Sequence, residues 1–129
     1  MDTKEEWEAY LERFMKAYNE LPDLASMLDP IAPLIFQYEI TDKPEMSYWQ
    51  FIDHDKMDWG IGIYSGPEAP KIIHKTNFDT IKKVNSGKSD PIQATMAGTY
   101  IVEGDVSKLM VCAPLLPLNA KAHEKAIQQ

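Results

Sequence analysis

Asp53, His54, Asp55 and Asp58 put three carboxylates beside one imidazole, the residue types for acid–base work or for holding a cation. The same residues are ordinary turn chemistry, since aspartate bonds readily to nearby backbone. The other histidines, His74 and His123, are too distant in sequence to complete a metal-ligand spacing, so no metal site is expected. Cys112 stands between Val111 and Ala113, which suits a small buried hydrophobe better than a nucleophile. Gly87-Lys88-Ser89 resembles the end of a phosphate loop. The glycine required five residues earlier is Lys82, however, and a helical pattern precedes it where a strand should stand. No serine lies in a Gly-x-Ser-x-Gly elbow. Catalysis therefore has one weak candidate, His54 with Asp53 or Asp55 as acid and base.

The chain of 129 residues carries 13 basic and 20 acidic side chains, a net charge of −7 that argues against a nucleic-acid binder. A chain this long buries roughly two thirds of its unfolded surface, enough for one core and too little for two domains. A single domain over residues 1–129 is expected. One cysteine cannot make an internal disulfide. The start Met1-Asp2-Thr3-Lys4-Glu5-Glu6 lacks the basic and apolar parts of a secretory leader, and no apolar run could span a membrane. The last residues, Ala126-Ile127-Gln128-Gln129, form no retention or peroxisomal address. A cytoplasmic location is the default expectation. Seven Met, six Tyr, four Phe and three Trp supply large adaptable apolar surfaces, which build cores and also line pockets for flexible apolar ligands.

The elements that would position these residues follow from spacing. Trp7, Tyr10, Leu11, Phe14, Tyr18 and Leu21 gather on one face of a helix over 3–21, with Thr3 and Glu6 as a capping box and Pro22 as its stop. Leu24 to Leu28 adds a turn or two. From Leu34 to Thr41 the period becomes two, predicting a strand. Strands are also predicted at Met46–Asp53, Met57–Ile63 and Lys71–Lys75, and the short links favour an antiparallel meander. Asn77 or Asp79 caps a helix with Phe78, Ile81 and Val84 inward, and Gly87 ends it. Asp90-Pro91 opens a short helix that closes at Gly98. Tyr100 and Val102 mark a fifth strand. Gly104-Asp105 then starts a helix carrying Val106, Leu109 and Met110, broken by Pro114 and Pro117. Residues 119–127 form a weakly amphipathic tail. Five lysines within 71–88, among them Lys82, Lys83 and Lys88, read either as a solvated face or as an anion site.

The stretch from Gly87 to Asp105 resembles the sterol-carrier-protein lipid-transfer family. Gly87, Lys88, Asp90, Pro91, Ala94, Gly98, Gly104 and Asp105 all fall at that family's offsets, a far more specific pattern than any motif above. The likeness covers about residues 34–113, while 114–129 departs from the family's usual run. It implies an α+β fold: a twisted five-stranded, mostly antiparallel sheet, with helices layered on one face around an apolar tunnel. It also implies a carrier without catalytic residues or cofactor, which binds and transfers a sterol, fatty acid, acyl-CoA or isoprenoid inside the cell. Tyr100 and Val102 follow from the aligned motif as residues facing the tunnel. Periodicity adds Phe36, Tyr38, Trp59 and Ile61 from the strands. It also adds Phe78, Ile81, Val84 and Met96, and then Leu109 and Met110. An anionic head group would be helped by Lys82, Lys83 and Lys88 if these face the mouth. The implied partner is a lipid or acyl-chain ligand, with room for a homodimer and for transient contact with a membrane. The rival readings are the small enzyme built on His54 and an accessory module whose pocket is closed.

Overall fold

The structure, a computed structural model, describes residues 2–128, so Met1 and Gln129 lie outside the described residues. Helix α1 spans Lys4–Asn19, and its start carries the expected capping box: the Thr3 hydroxyl accepts from the Glu6 N–H at 3.1 Å, and the Thr3 N–H donates to Glu6 Oε1 at 3.2 Å. A short α2, Leu24–Leu28, follows. The strands are β1 Leu34–Ile40, β2 Tyr48–Ile52, β3 Met57–Ile61, β4 Lys71–Thr76 and β5 Tyr100–Gly104. Helices α3, Phe78–Asn85, and α4, Pro91–Met96, stand between β4 and β5, and α5, Leu116–Ile127, closes the chain. Of the two residues expected to cap α3, Asn77 does so by accepting from the Thr80 N–H at 2.8 Å. Asp90 caps α4 through the Ile92 N–H at 2.8 Å.

The sheet order is β3-β2-β1-β4-β5. Three pairings are antiparallel and β1 with β4 is parallel, so the expected meander holds only for β1 to β3. Gln37 accounts for the crossover. It points to the face opposite the core yet is buried, because its amide clasps the returning chain: Nε2 donates to the carbonyls of Tyr48 and Gly62, and Oε1 accepts from the Tyr64 N–H at 2.8 Å. The link after β3 is thereby laid across the sheet, Ile35 N–H bonds Pro70 O at 2.8 Å, and β4 enters on the far side of β1.

The other face, carrying Leu34, Phe36, Tyr38 and Ile40 of β1, holds the core and the helices. Trp7, Tyr10, Phe14 and Tyr18 of α1 are all buried. Trp7 meets Phe78 edge-on at 4.9 Å, and its Nε1–H donates to Met46 O at 2.9 Å. Asn19 bonds both backbone groups of Met57, which ties the far end of α1 to β3.

Two expectations need correction. The helix predicted after Gly104 is instead a pair of 3₁₀ segments, Val106–Lys108 and Met110–Leu115. Pro114 has no N–H to continue an α-helix, and its ring would collide with the carbonyl one turn earlier. Pro117 does not break a helix but sits in the first turn of α5, where a missing N–H costs nothing. The tail is therefore not an appendage. Leu118, Ala122 and Ala126 are buried, and α1 holds α5 by two hydrogen bonds, Tyr10 Oη with His123 Nδ1 at 2.7 Å and Arg13 Nε–H to Ala126 O at 3.2 Å, while Tyr18 O–H donates to Leu115 O just before it at 3.0 Å. Ala122 has no exposed surface, so a larger side chain must push the two helices apart. Ala122→Leu is expected to lose about 1–3 kcal/mol in urea unfolding. Lys121→Ala, on the exposed side of the same helix, is expected to stay within about 0.5 kcal/mol.

Candidate ligand cavity

Between the sheet and the 3₁₀ cover lies a cavity of about 200 Å³. Its floor is the inward row of the sheet: Phe36 and Tyr38 from β1, Gln50 from β2, His74 from β4, and Tyr100 and Val102 from β5. Tyr18 of α1 and Val84 and Asn85 of α3 form walls. The roof comes from Ile92 of α4, from Leu109, Met110, Cys112 and Leu115 of the cover, and from Leu116 of α5. None of the lining side chains is an acid, a lysine or an arginine. Ile92, Met110, Leu109 and Leu116 line the cavity and are also solvent-exposed, which places its opening at the α4–cover edge. Met96, 83% exposed and one turn beyond Ile92 on α4, together with exposed Val106 and Val111, extends this apolar rim.

Seven of the twelve side chains expected from sequence meet at this cavity: Phe36, Tyr38, Val84 and Tyr100, with Val102, Leu109 and Met110. The other five do not. Phe78 and Ile81 are spent on the core beneath α1, with Phe78 wedged against Trp7. Trp59 packs at the margin of that core and Ile61 is partly open to solvent, because β3 is an edge strand on the far side of the sheet. Met96 lies outside on the rim, since α4 buries Ala94 and lines the cavity with Pro91, Ile92 and Thr95 instead.

The polar groups of the floor are joined in pairs. Tyr38 O–H donates to Gln50 Oε1 at 3.1 Å, and Gln50 Nε2–H reaches Met15 Sδ at 3.4 Å. His74 Nδ1 bonds Tyr100 Oη at 2.7 Å, and the imidazole stacks on Tyr38 with ring centroids 4.6 Å apart. Burial pushes the His74 pKa down to about 3, and it pushes the Tyr38 and Tyr100 hydroxyls well above the usual range. The floor is thus polar in places but uncharged at neutral pH. Sequence reasoning passed over His74, although Ile72, His74 and Thr76 alternate toward the core and that period was available. Cys112 is the small buried hydrophobe that its neighbours suggest, and sequence reasoning left out Leu115 and Leu116, which stand where the chain departs from the family's usual run. Burial raises the Cys112 thiol to about 11, which leaves it inert rather than nucleophilic.

The acidic cluster is elsewhere. His54 is exposed, and its imidazole bonds Asp29 at 2.8 Å instead of Asp53 or Asp55; Asp53 accepts the His54 backbone N–H. Asp58 reaches Lys56 at 3.8 Å. Among the described residues no three acids, histidines or cysteines converge on a point that could hold a metal ion. Lys82 and Lys83 pair with Asp2 and Asp79, at 3.3 and 3.0 Å, and neither they nor Lys88 line the cavity.

A family model described as the SCP-2 sterol transfer family matches residues 11–117. The chain belongs to that family. Its matched region takes in the sheet, the cavity floor and the cover. Comparison with curated proteins by sequence finds no match. Among solved structures, one titled sterol carrier protein 2 is 18% identical with a TM-score of 0.59, aligning 90% of this chain with 95% of its own. The apo form of sterol carrier protein 2 from Yarrowia lipolytica is 22% identical with a TM-score of 0.57, over 75% of this chain and 86% of that one. A ubiquinone synthesis protein, UbiJ-SCP2, is 14% identical with a TM-score of 0.61, over 81% and 86%. At these identities the likeness establishes the fold, an α+β sheet with helices packed on it. Among the described residues, no helix is long and apolar enough to cross a membrane.

The neutral imidazole makes a pH prediction. In the unfolded chain His74 takes a proton near 6.5, whereas in the folded chain it does not until about 3. Between those values the unfolded state binds more protons, so stability falls as the pH drops, by up to about 1.4 kcal/mol per unit. The side chains facing the ring are Phe36, Tyr38 and Tyr100, none of which changes charge in that window. Denaturant unfolding at pH 7 and pH 4.5 is expected to show a loss for the wild type that exceeds that of His74→Gln by about 2–3 kcal/mol.

Proposed function

We propose that this protein binds a lipid in its cavity and transfers it without chemical change. The observation that carries the reading is an uncharged cavity that opens through a rim of exposed apolar side chains, in a chain of a lipid-transfer family. At about 200 Å³ the cavity is smaller than the roughly 300–1,000 Å³ that holds drug-sized ligands. It therefore suits one acyl or prenyl chain better than a fused-ring sterol, which would require the cover to swing outward. Each buried methylene contributes about 0.8 kcal/mol, so eight to ten give a gross gain of roughly 6–8 kcal/mol before ordering costs. Micromolar affinity needs no charged anchor. A reducing compartment such as the cytoplasm fits a chain whose one cysteine is unpaired and buried.

The rival enzyme reading has only the exposed Asp29–His54 pair to rest on, and that pair lies outside the cavity. The closed-module reading is separated by contents. Organic extraction of the purified protein followed by mass spectrometry is expected to recover an acyl or prenyl lipid. Protein without extractable lipid that also binds no fluorescent fatty acyl probe would end the carrier reading.

Two substitutions test the path of the ligand. Val102→Trp fills the floor and is expected to weaken probe binding about tenfold while circular dichroism stays unchanged; equal affinity in the folded variant would place the ligand elsewhere. Met96→Asp adds a charge to the rim but not to the lining. It is expected to slow transfer of a fluorescent lipid from protein to vesicles severalfold, with equilibrium affinity unchanged.

A further inference from the structure

His74 Nε2 is the one buried side-chain nitrogen or oxygen among the described residues without a hydrogen-bond partner. An orphan of this kind in a cavity floor calls for an explanation. The opposite ring nitrogen is occupied by Tyr100 Oη at 2.7 Å. The ring faces are taken as well, by Tyr38 stacked at 4.6 Å and Phe36 edge-on at 4.7 Å. The other hydroxyl on the floor, that of Tyr38, is already given to Gln50. Nε2 has almost no accessible surface, so an oxygen reaches it only as a neighbouring side chain shifts. An oxygen carried on an apolar body needs no other partner, since its chain is held by the rest of the cavity.

We propose that His74 Nε2 is the recognition point for an uncharged oxygen of the bound lipid, selecting neutral lipids with a hydroxyl or carbonyl head over fatty-acid anions. This rests on the carrier reading above. A hydroxyl can both donate and accept, so it satisfies Nε2 in either tautomer of the imidazole, and a carbonyl satisfies the one that carries its proton there. A carboxylate is disfavoured for a separate reason. No cation lines the cavity, and an unpaired charge is costly to bury. Low pKa keeps the imidazole itself from supplying the positive charge at neutral pH.

The test uses the whole chain at pH 7.5, with 1-decanol, decanoate and the neutral fluorophore N-phenyl-1-naphthylamine as probes. Wild-type protein is expected to bind decanol about tenfold more tightly than decanoate. His74→Leu is expected to lose about tenfold for decanol, with less than a threefold change for the fluorophore. Decanol affinity unaltered in His74→Leu, or decanoate bound as tightly as decanol by the wild type, would overturn the proposal while leaving the carrier reading in place. Failure of all three probes to bind the wild type would remove the carrier reading and this proposal with it. A second measurement needs no variant: on adding decanol to ¹⁵N-labelled wild type, the His74 Nε2 resonance is expected to move as for a newly hydrogen-bonded nitrogen. A resonance that stays fixed while decanol binds would also overturn the assignment.

Discussion

One helix cannot roof five strands. A helix with its side chains is about 10–12 Å across, and strands lie about 4.8 Å apart, so α1 covers only about two of them. Its contacts with Met46, Tyr48 and Met57 set it over the β2–β3 half of the sheet. The other half, where β1, β4 and β5 lie side by side, must be roofed by α3, α5 and the chain between β5 and α5. Where the roof is helical, aromatic and aliphatic side chains fill the space. Where it is a proline-containing 3₁₀ run, they do not, and the cavity is what remains.

The parallel β1–β4 pairing decides what the floor of that cavity is made of. In a continued meander β4 would have joined the outer edge of β3. Because Gln37 draws the link across the back of the sheet, β4 instead pairs with β1, and Tyr38 faces His74 in register. Tyr100 and Val102 then arrive on β5, antiparallel to β4, with Val102 opposite His74. A buried amide on one face thus assembles the polar groups of the other. Gly104 is needed at the exit. Its φ is +91°, and a side chain there would meet the Lys71 carbonyl; Asp105 returns its carboxylate to the Lys71 N–H at 2.9 Å.

Stability is unevenly shared between the two halves of the roof. The α1–α5 pair is joined by two hydrogen bonds, from Tyr10 and Arg13, beside a run of contacting aromatic rings along α1. The cover has short 3₁₀ turns, no side-chain caps and several exposed apolar residues. Three-residue hydrogen-bonded turns have poorer geometry than α-helix, and segments with few buried contacts open at lower free energy than the core. A carrier must admit a ligand without unfolding. Placing the weak roof over the cavity and the strong roof over the filled core meets that requirement.

Local order was legible in the residues themselves. Thr3 with Glu6, Asn77, and Asp90 with Pro91 each announced a helix start, because a cap is a contact between near neighbours in the chain. The family motif gave Tyr100 and Val102 of β5 and alternation gave Phe36 and Tyr38 of β1, all four of which reach the cavity. The same rule failed for Trp59 and Ile61, since alternation names a face and not which strand of that face lies under the opening. The tail was misjudged for a related reason. Its alanines carry almost no hydrophobic pattern, yet small side chains are what allow α5 to lie close on α1; the close approach of Ala120 to Gly87 shows the same economy of space. Sequence alone therefore determined the five strands, the helices before Gly104 with their caps, and the family motif from Gly87 to Asp105. Only the tertiary structure decided strand order, the burial of His74 and the place of the cavity. These depend on which distant segments meet, and no local period carries that information.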